Sequence, residues 1–216
     1  MIARAQRLGQ DRRIALVDDY VVVVDLAAAN DGLVTRPQLL AEGVSPTSIA
    51  RLTGTPRALS SLGAGVYLVP ALEDMRFGPF KVALQRLSPE RFLSQIAGDP
   101  LGERGGVLSH HAAAELHGAP DLPQEMHVTV PRRRRVGGMT PHTATLAPDD
   151  VVMVEGMPVT SVERTTYDLG RWPMDGEHRS RWVDLCIDEG WLTYERAAEL
   201  LGPSAEATLM YLPMAS

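Results

Sequence analysis

The spacing of apolar and polar residues changes several times along the chain. In "ALVDDYVVVVDLAAANDG", residues 15–32, four consecutive valines favour a strand. Val22, Leu26 and Ala29 nevertheless recur at helical spacing, and Asn30-Asp31-Gly32 supplies a stop. The stretch is therefore read as a helix. "VTRPQLLAEG" predicts a short second helix, with Thr35 as N-cap, Pro37 in the first turn and Gly43 just past the end. "SPTSIARL" predicts a third immediately behind it. Ser45 is its cap, Pro46 takes the first position where a missing N–H costs nothing, and Ile49 and Leu52 point inward. The intervening Val44 is placed to plug the core. "ALSSLGAGVYLVP" then shows two short strand-like runs around Gly63-Ala64-Gly65, with Pro70 ending the second.

"FGPF" marks a junction, and "LSPERFLSQIAGDP" predicts a helix capped by Ser88 with Pro89 behind it. "GGVLSHHAAAELHGAPD" predicts a helix from Ser109 to Gly118. "QEMHVTVP" alternates as a strand, with Met126, Val128 and Val130 on one face, and "RRRRVGG" is a basic loop. "VVMVEGMPVTS" reads as a hairpin turning at Glu155-Gly156. Thr160 with Glu163 forms a capping box for "SVERTTYDLG". "RSRWVDLCIDEG" and "TYERAAELLG" are closing helices, and the last dozen residues carry little pattern. The fold class expected is α+β. A winged helix-turn-helix spans residues 1–75, with residues 1–13 as a flexible basic arm, and a mixed α/β domain spans 76–216.

Charge restricts where nucleic acid can bind. The chain of 216 residues has a formal net charge of −6, whereas proteins that coat nucleic acid are basic overall. Any such contact must be local. Residues 1–70 hold seven Arg against six acidic residues, and residues 71–216 hold fourteen basic against twenty-one acidic. Lys81 is the only lysine. Cys186 is the only cysteine, so neither an internal disulfide nor a cysteine zinc site is expected, and a reducing cytoplasm fits. Neither a signal peptide nor a membrane span is expected.

Helix, three-residue turn, helix and hairpin, with a helix in front, is the order of a winged helix-turn-helix. On that geometry the "SPTSIARL" helix enters the major groove. Thr47, Ser48 and Arg51 lie opposite its buried face, and Ser45 caps its positive end. Arg36 and Arg57, at element ends, are candidates for backbone phosphates, as are Arg12 and Arg13 of the arm and Ser61 near the hairpin tip. No Arg or Lys lies between Arg57 and Pro70, and Arg51 is the only charge on the reading helix. Modest affinity per domain follows, with specificity drawn from two domains on repeated sites and from the arm.

Three other constellations could carry chemistry. His110, His111 and His117, with Glu115, form a cluster in which His110 and His117 would share a helical face and His111 would point away. A metal-dependent nuclease or hydrolase on that cluster is one alternative reading, a protein-binding module without DNA activity being the other, but no HExxH-type signature occurs and ordinary polar histidines are favoured, with no metal or cofactor. Arg132, Arg133, Arg134 and Arg135 can grip an acidic partner or be a solvated loop. Arg164 and Asp168 read as a surface ion pair one helical turn apart, and Cys186 as a core residue beside Trp182. No residue is assigned a catalytic role.

"GLVTRPQLLAEGVSPTSIARL" with "GAGVYLVP" resembles the N-terminal winged-helix domain of AbiEi-type antitoxins from type IV toxin–antitoxin systems. "LSHHAAAELHGAPDLPQEMHVTVPRRRR" and "GMPVTSVERTTYDLGR" resemble the domain that follows it there. The matching positions are Ser109, His110, Ala113, Ala114, His117 and Gly118, then Val128, Val130 and Pro131, then Thr160, Ser161, Arg164, Thr165, Asp168 and Leu169. The resemblance covers roughly residues 20–200. It implies a repressor that binds inverted repeats in its own promoter, self-associating there, and an antitoxin domain that counteracts a nucleotidyltransferase-like toxin, by direct contact or otherwise. Some relatives continue into a nuclease-like domain; here the residues after Leu169 contain no lysine, so the acidic-plus-lysine site is missing.

Overall fold

A computed structural model of the chain describes residues 16–55, 57–72, 77–119 and 121–212. Arg12, Arg13 and the rest of the proposed arm lie outside the described residues. The contacts divide the chain into two units, Met1–Gln95 and Ile96–Ser216, each mixed α+β.

In the first unit, helix α1 covers residues 16–28. Its buried stripe is centred on Val23 and Ala27, one residue along from the expected face. Val22 and Leu26 pack on the flank of that core, whereas Ala29 is exposed beyond the helix end. Asp31 and Gly32 both take positive φ, and a Cβ on Gly32 would lie 2.5 Å from the Leu72 carbonyl oxygen, so only glycine fits there. The turn leads into β1 (Leu33–Thr35), a strand not expected from the sequence. Thr35 then caps α2 (Arg36–Ala41) in a reciprocal box with Gln38. Gly43 takes φ +82, Val44 is buried, and Ser45 caps α3 (Pro46–Thr53) by accepting from the Ser48 N–H at 3.0 Å.

Strands β2 (Ser60–Gly63) and β3 (Val66–Leu68) form the expected hairpin. Ala64 and Gly65 have φ of 50° and 75°, the twist that a two-residue hairpin turn requires. The antiparallel sheet has the order β1-β3-β2. One cluster of buried residues includes Val23, Leu39, Val44, Ile49 and Leu52 from the helices with Val34, Leu59 and Tyr67. A second joins Leu33, Val66 and Leu68 of the sheet to Val82 of helix α4 (Gly78–Leu87).

Helix α4 corrects one expectation: Ser88 ends it instead of starting a helix, and the next helix, α5, runs only over Leu93–Gly98. The contacts divide the chain after α4, at Gln95/Ile96. The reason is a polar seam. The Gln38 amide donates to the Gln85 side chain and the Arg91 carbonyl, Thr35 Oγ1 donates to the Pro89 carbonyl, and Asn30 Oδ1 accepts from the Leu93 N–H at 2.7 Å. Buried Lys81 pairs with Asp31 at 2.9 Å, and an Arg86 Nη donates to the Leu62 carbonyl of β2 at 2.6 Å. These groups satisfy one another only if α4 stays on the first unit.

The second unit contains β4 (Val107–Leu108), α6 (His110–Leu116), β5 (His127–Val130), β6 (Thr140–Thr143), β7 (Val151–Val154) and β8 (Met157–Thr160). Sheet order is β6-β5-β4-β8-β7, with β5/β6 and β4/β8 parallel. Helices α7 (Val162–Arg171), α8 (Gly176–Asp188), α9 (Tyr194–Leu201) and α10 (Ala205–Leu209) build a core around Leu169, Trp182, Val183, Cys186 and Leu201. Glu155-Gly156 turns the β7–β8 hairpin as expected. The cap of α7 is Ser161, not Thr160: its side chain accepts from the Arg164 N–H. Thr160 closes β8 and its hydroxyl hydrogen-bonds Thr165 Oγ1 instead. A fully formed hub sits at buried Arg179, which donates to the Leu169, Trp172 and Met174 carbonyls and to Thr208 Oγ1. Among the described residues, no helix is long and apolar enough to cross a membrane.

Candidate functional site

Two polar surfaces stand out, one on each unit. On the first, the Gly43-Val44-Ser45 turn re-aims the chain so that α3 buries Ile49 and Leu52 and exposes Thr47, Ala50 and Arg51. Ser48 is half-buried, its hydroxyl accepting from Ser45 Oγ at 3.0 Å. Arg36 is exposed at the start of α2, where its N–H donates to the Gly65 carbonyl at 2.7 Å, so it stands beside the hairpin turn. Ser61 is exposed on β2, and Arg57 is exposed at φ +66 just ahead of it. Among the described residues, Arg36, Arg51 and Arg57 have no ion-pair partner. The hairpin has no basic residue of its own, but α4 supplies Arg86 against Leu62, a cation that no local signal could associate with it.

The arginine loop is less open than expected. Arg132 pairs with Glu103, and half-buried Arg134 donates to the Gly105 carbonyl. Arg133 and Arg135 remain exposed.

The second surface is a cleft of about 220 Å³ lined by His110, Thr129, His142, Arg164, Asp168 and Trp172 among others. The expected grouping of His110 with His117 fails. His110 takes φ +52, so it turns away before α6 is established, and His117 ends that helix facing the Thr160 carbonyl at 2.8 Å. Glu115 is exposed. The residues that do meet come from three neighbouring strands of the sheet. His110 follows β4, His127 opens β5, and His142 lies in β6 opposite Thr129. His110 and His142 stack with ring centroids 3.7 Å apart, and His127 Nδ1 is 2.8 Å from His142 Nε2. Trp172 presents itself edge-on to all three rings. Beneath them, Glu125 Oε2 is 2.9 Å from His127 Nε2 and 3.7 Å from His111 Nδ1. One ring nitrogen from each of His110, His127 and His142 lies within 4.8 Å of the others; so do donor atoms of His111, Glu125 and His127.

Burial keeps these imidazoles neutral. It pushes His110 down to about 2, with help from the neighbouring histidines, and His111 and His142 down to about 4. His127 is lowered as well, mainly by burial, against the opposing pull of Glu125. The Arg164–Asp168 pair is not the expected surface pair. Its side chains are 15% and 7% exposed, and Arg164 also reaches Asp150 at 3.2 Å. Burial pushes Asp168 up to about 6 despite Arg164, and its Oδ2 is buried without a partner. Cys186 is fully buried and its thiol is pushed up to about 12 by that burial, which suits the expected core role.

No family model matches the chain, and no curated protein matches it significantly.

Proposed function

We propose that the first unit is a winged helix-turn-helix that binds operator DNA, and that the chain is a cytoplasmic, autorepressing antitoxin of the AbiEi type. The observation that carries the DNA half is the order α1-β1-α2-α3-β2-β3 combined with the sheet order β1-β3-β2. A short strand ahead of α2 pairs with the second arm of the hairpin, so α3 and the wing are held by one sheet. Residues that face away from the core, Thr47 and Arg51, then read bases, while the α3 N-terminus, Arg36 and Arg57 meet phosphates. The antitoxin half is supported by the motif resemblance around Ser109–Gly118 and Thr160–Leu169 alone. Its partner is a nucleotidyltransferase-like toxin, and exposed Arg133 and Arg135 are the members of the arginine loop available to it.

An electrophoretic shift with DNA upstream of the chain's own reading frame tests the first half. A shift that weakens with salt and with Arg51→Ala supports it; folded protein that gives no shift at low salt overturns it. Co-expression with the toxin-like neighbouring reading frame tests the second half, by whether growth is rescued.

A further inference from the structure

We propose that His110, His127 and His142 bind one divalent transition-metal ion of the zinc–cobalt–nickel class. Neither the DNA-binding reading nor the antitoxin reading requires this site, so it stands or falls separately. Three imidazole nitrogens within 4.8 Å of one another are the donor set that these borderline ions favour, whereas magnesium and calcium prefer oxygen.

Hydrogen bonding determines which nitrogens are available. The Glu125 carboxylate accepts from His127 Nε2–H at 2.9 Å, so Nδ1 carries the lone pair and accepts from His142 Nε2–H at 2.8 Å; ligation then needs His142 to move its proton to Nδ1, which frees Nε2 for the ion. A carboxylate behind a ligating histidine is the usual outer partner of a metal site, because it fixes the tautomer and raises the basicity of the ring. Ser109 Oγ lies 3.1 Å from His110 Nδ1, which leaves the Nε2 of His110 for the ion. The backbone also supports this choice. His110 holds a left-handed φ of 52° at a buried position, a conformation that a residue other than glycine rarely adopts, and its ring stacks on His142 and His127.

Three histidines leave a fourth position. The cleft lies on the side of His110 and His142, giving water a way in. Asp168 lines the same cleft, is 7% exposed at its side chain, and has an unpartnered buried Oδ2. That oxygen is an acceptor suited to a metal-bound water. The positive charge of Arg164 is already balanced by Asp150 and Asp168, which limits its repulsion of the ion.

A competing set, His111, Glu125 and His127, shares His127 and is separable by experiment. Untagged, chelator-treated protein is titrated with Zn²⁺ by calorimetry and with Co²⁺ by visible absorption. One ion per chain with a tetrahedral cobalt spectrum is expected. His142→Ala, on a half-buried edge-strand residue, lowers affinity by more than about a hundredfold, since even an outer partner is worth 10–100-fold. His110→Asn does the same while tolerating the left-handed backbone. Glu125→Gln costs about 10–100-fold. Circular dichroism of the metal-free variants confirms that they are folded. Absence of binding by the folded wild type overturns the proposal. So does binding that survives both His142→Ala and His110→Asn but is lost with His111→Ala.

Discussion

In the first unit the residues of most functional interest stand exposed: Thr47, Arg51 and Arg36 on short helices that other residues cap, and Arg57 in the turn ahead of β2. In the second, His110, His111, His127 and Asp168 are buried, and Arg164 is nearly so. The difference decides what a mutation reports. An exposed contact residue can be removed with little effect on folding, so binding and stability separate. A buried polar cluster couples them, because losing one member leaves another unsatisfied. All three tryptophans, Trp172, Trp182 and Trp191, lie in the second unit, so tryptophan fluorescence follows that unit by itself.

The largest expected effect is at Arg179. Arg179→Ala leaves buried carbonyls without donors and should remove about 3 kcal/mol, read as a lower urea midpoint in tryptophan fluorescence. An unchanged midpoint would break the claim that the second unit depends on its buried polar groups.

Acid comes next. Above pH 6.5 the histidines are neutral whether the chain is folded or not. Below it the unfolded chain takes up protons that folded His110, His111 and His142 refuse until about pH 4 or lower, so stability falls as pH drops from 6.5 towards 4. Asp168 acts in the opposite direction, because its folded form gains a proton near pH 6, ahead of the unfolded chain near 3.8. One carboxyl does not offset three imidazoles. Chelator-treated protein should lose stability steadily as the pH falls from 6.5 to 5, measured by urea titration at each pH.

Ser45→Ala should cost about 1 kcal/mol, as the Ser48 N–H loses its cap. Because Ser45 is in the first unit, thermal melting followed by far-ultraviolet dichroism should register the loss while tryptophan fluorescence does not. The smallest effect on stability is expected from Arg51→Ala, within about 0.5 kcal/mol, alongside roughly tenfold weaker DNA binding and relaxed sequence specificity. A large drop in stability would place Arg51 with the second unit's residues and collapse the comparison.

The same contrast explains what the amino-acid sequence revealed. Thr35, Gly43, Ser45 and Pro46 act within a few residues of themselves, so the two helices and their turn were legible. Strand β1 was not: three residues cannot display a period, and its partner β3 lies at Val66–Leu68. Helix α4 was hidden because Gly78-Pro79 read as punctuation, while its N-cap, Phe77, uses a positive φ and no side-chain bond. The histidine cluster was illegible for a topological reason. His110, His127 and His142 meet only because β4, β5 and β6 are neighbours in the sheet, and the positive φ of His110 takes it off the face that helical spacing would share with His117. The Arg164–Asp168 spacing was visible, but spacing carries no information about burial.

Lys81 has a further use. It is the sole side-chain amine of the chain, only 8% exposed, and it is paired with Asp31 between α4 and the end of α1. Acylating reagents and acetyltransferases therefore find almost no lysine to modify while the first unit is closed. The rate at which Lys81 becomes labelled is a clock for transient opening of α4, readable by mass spectrometry without adding any probe to the protein.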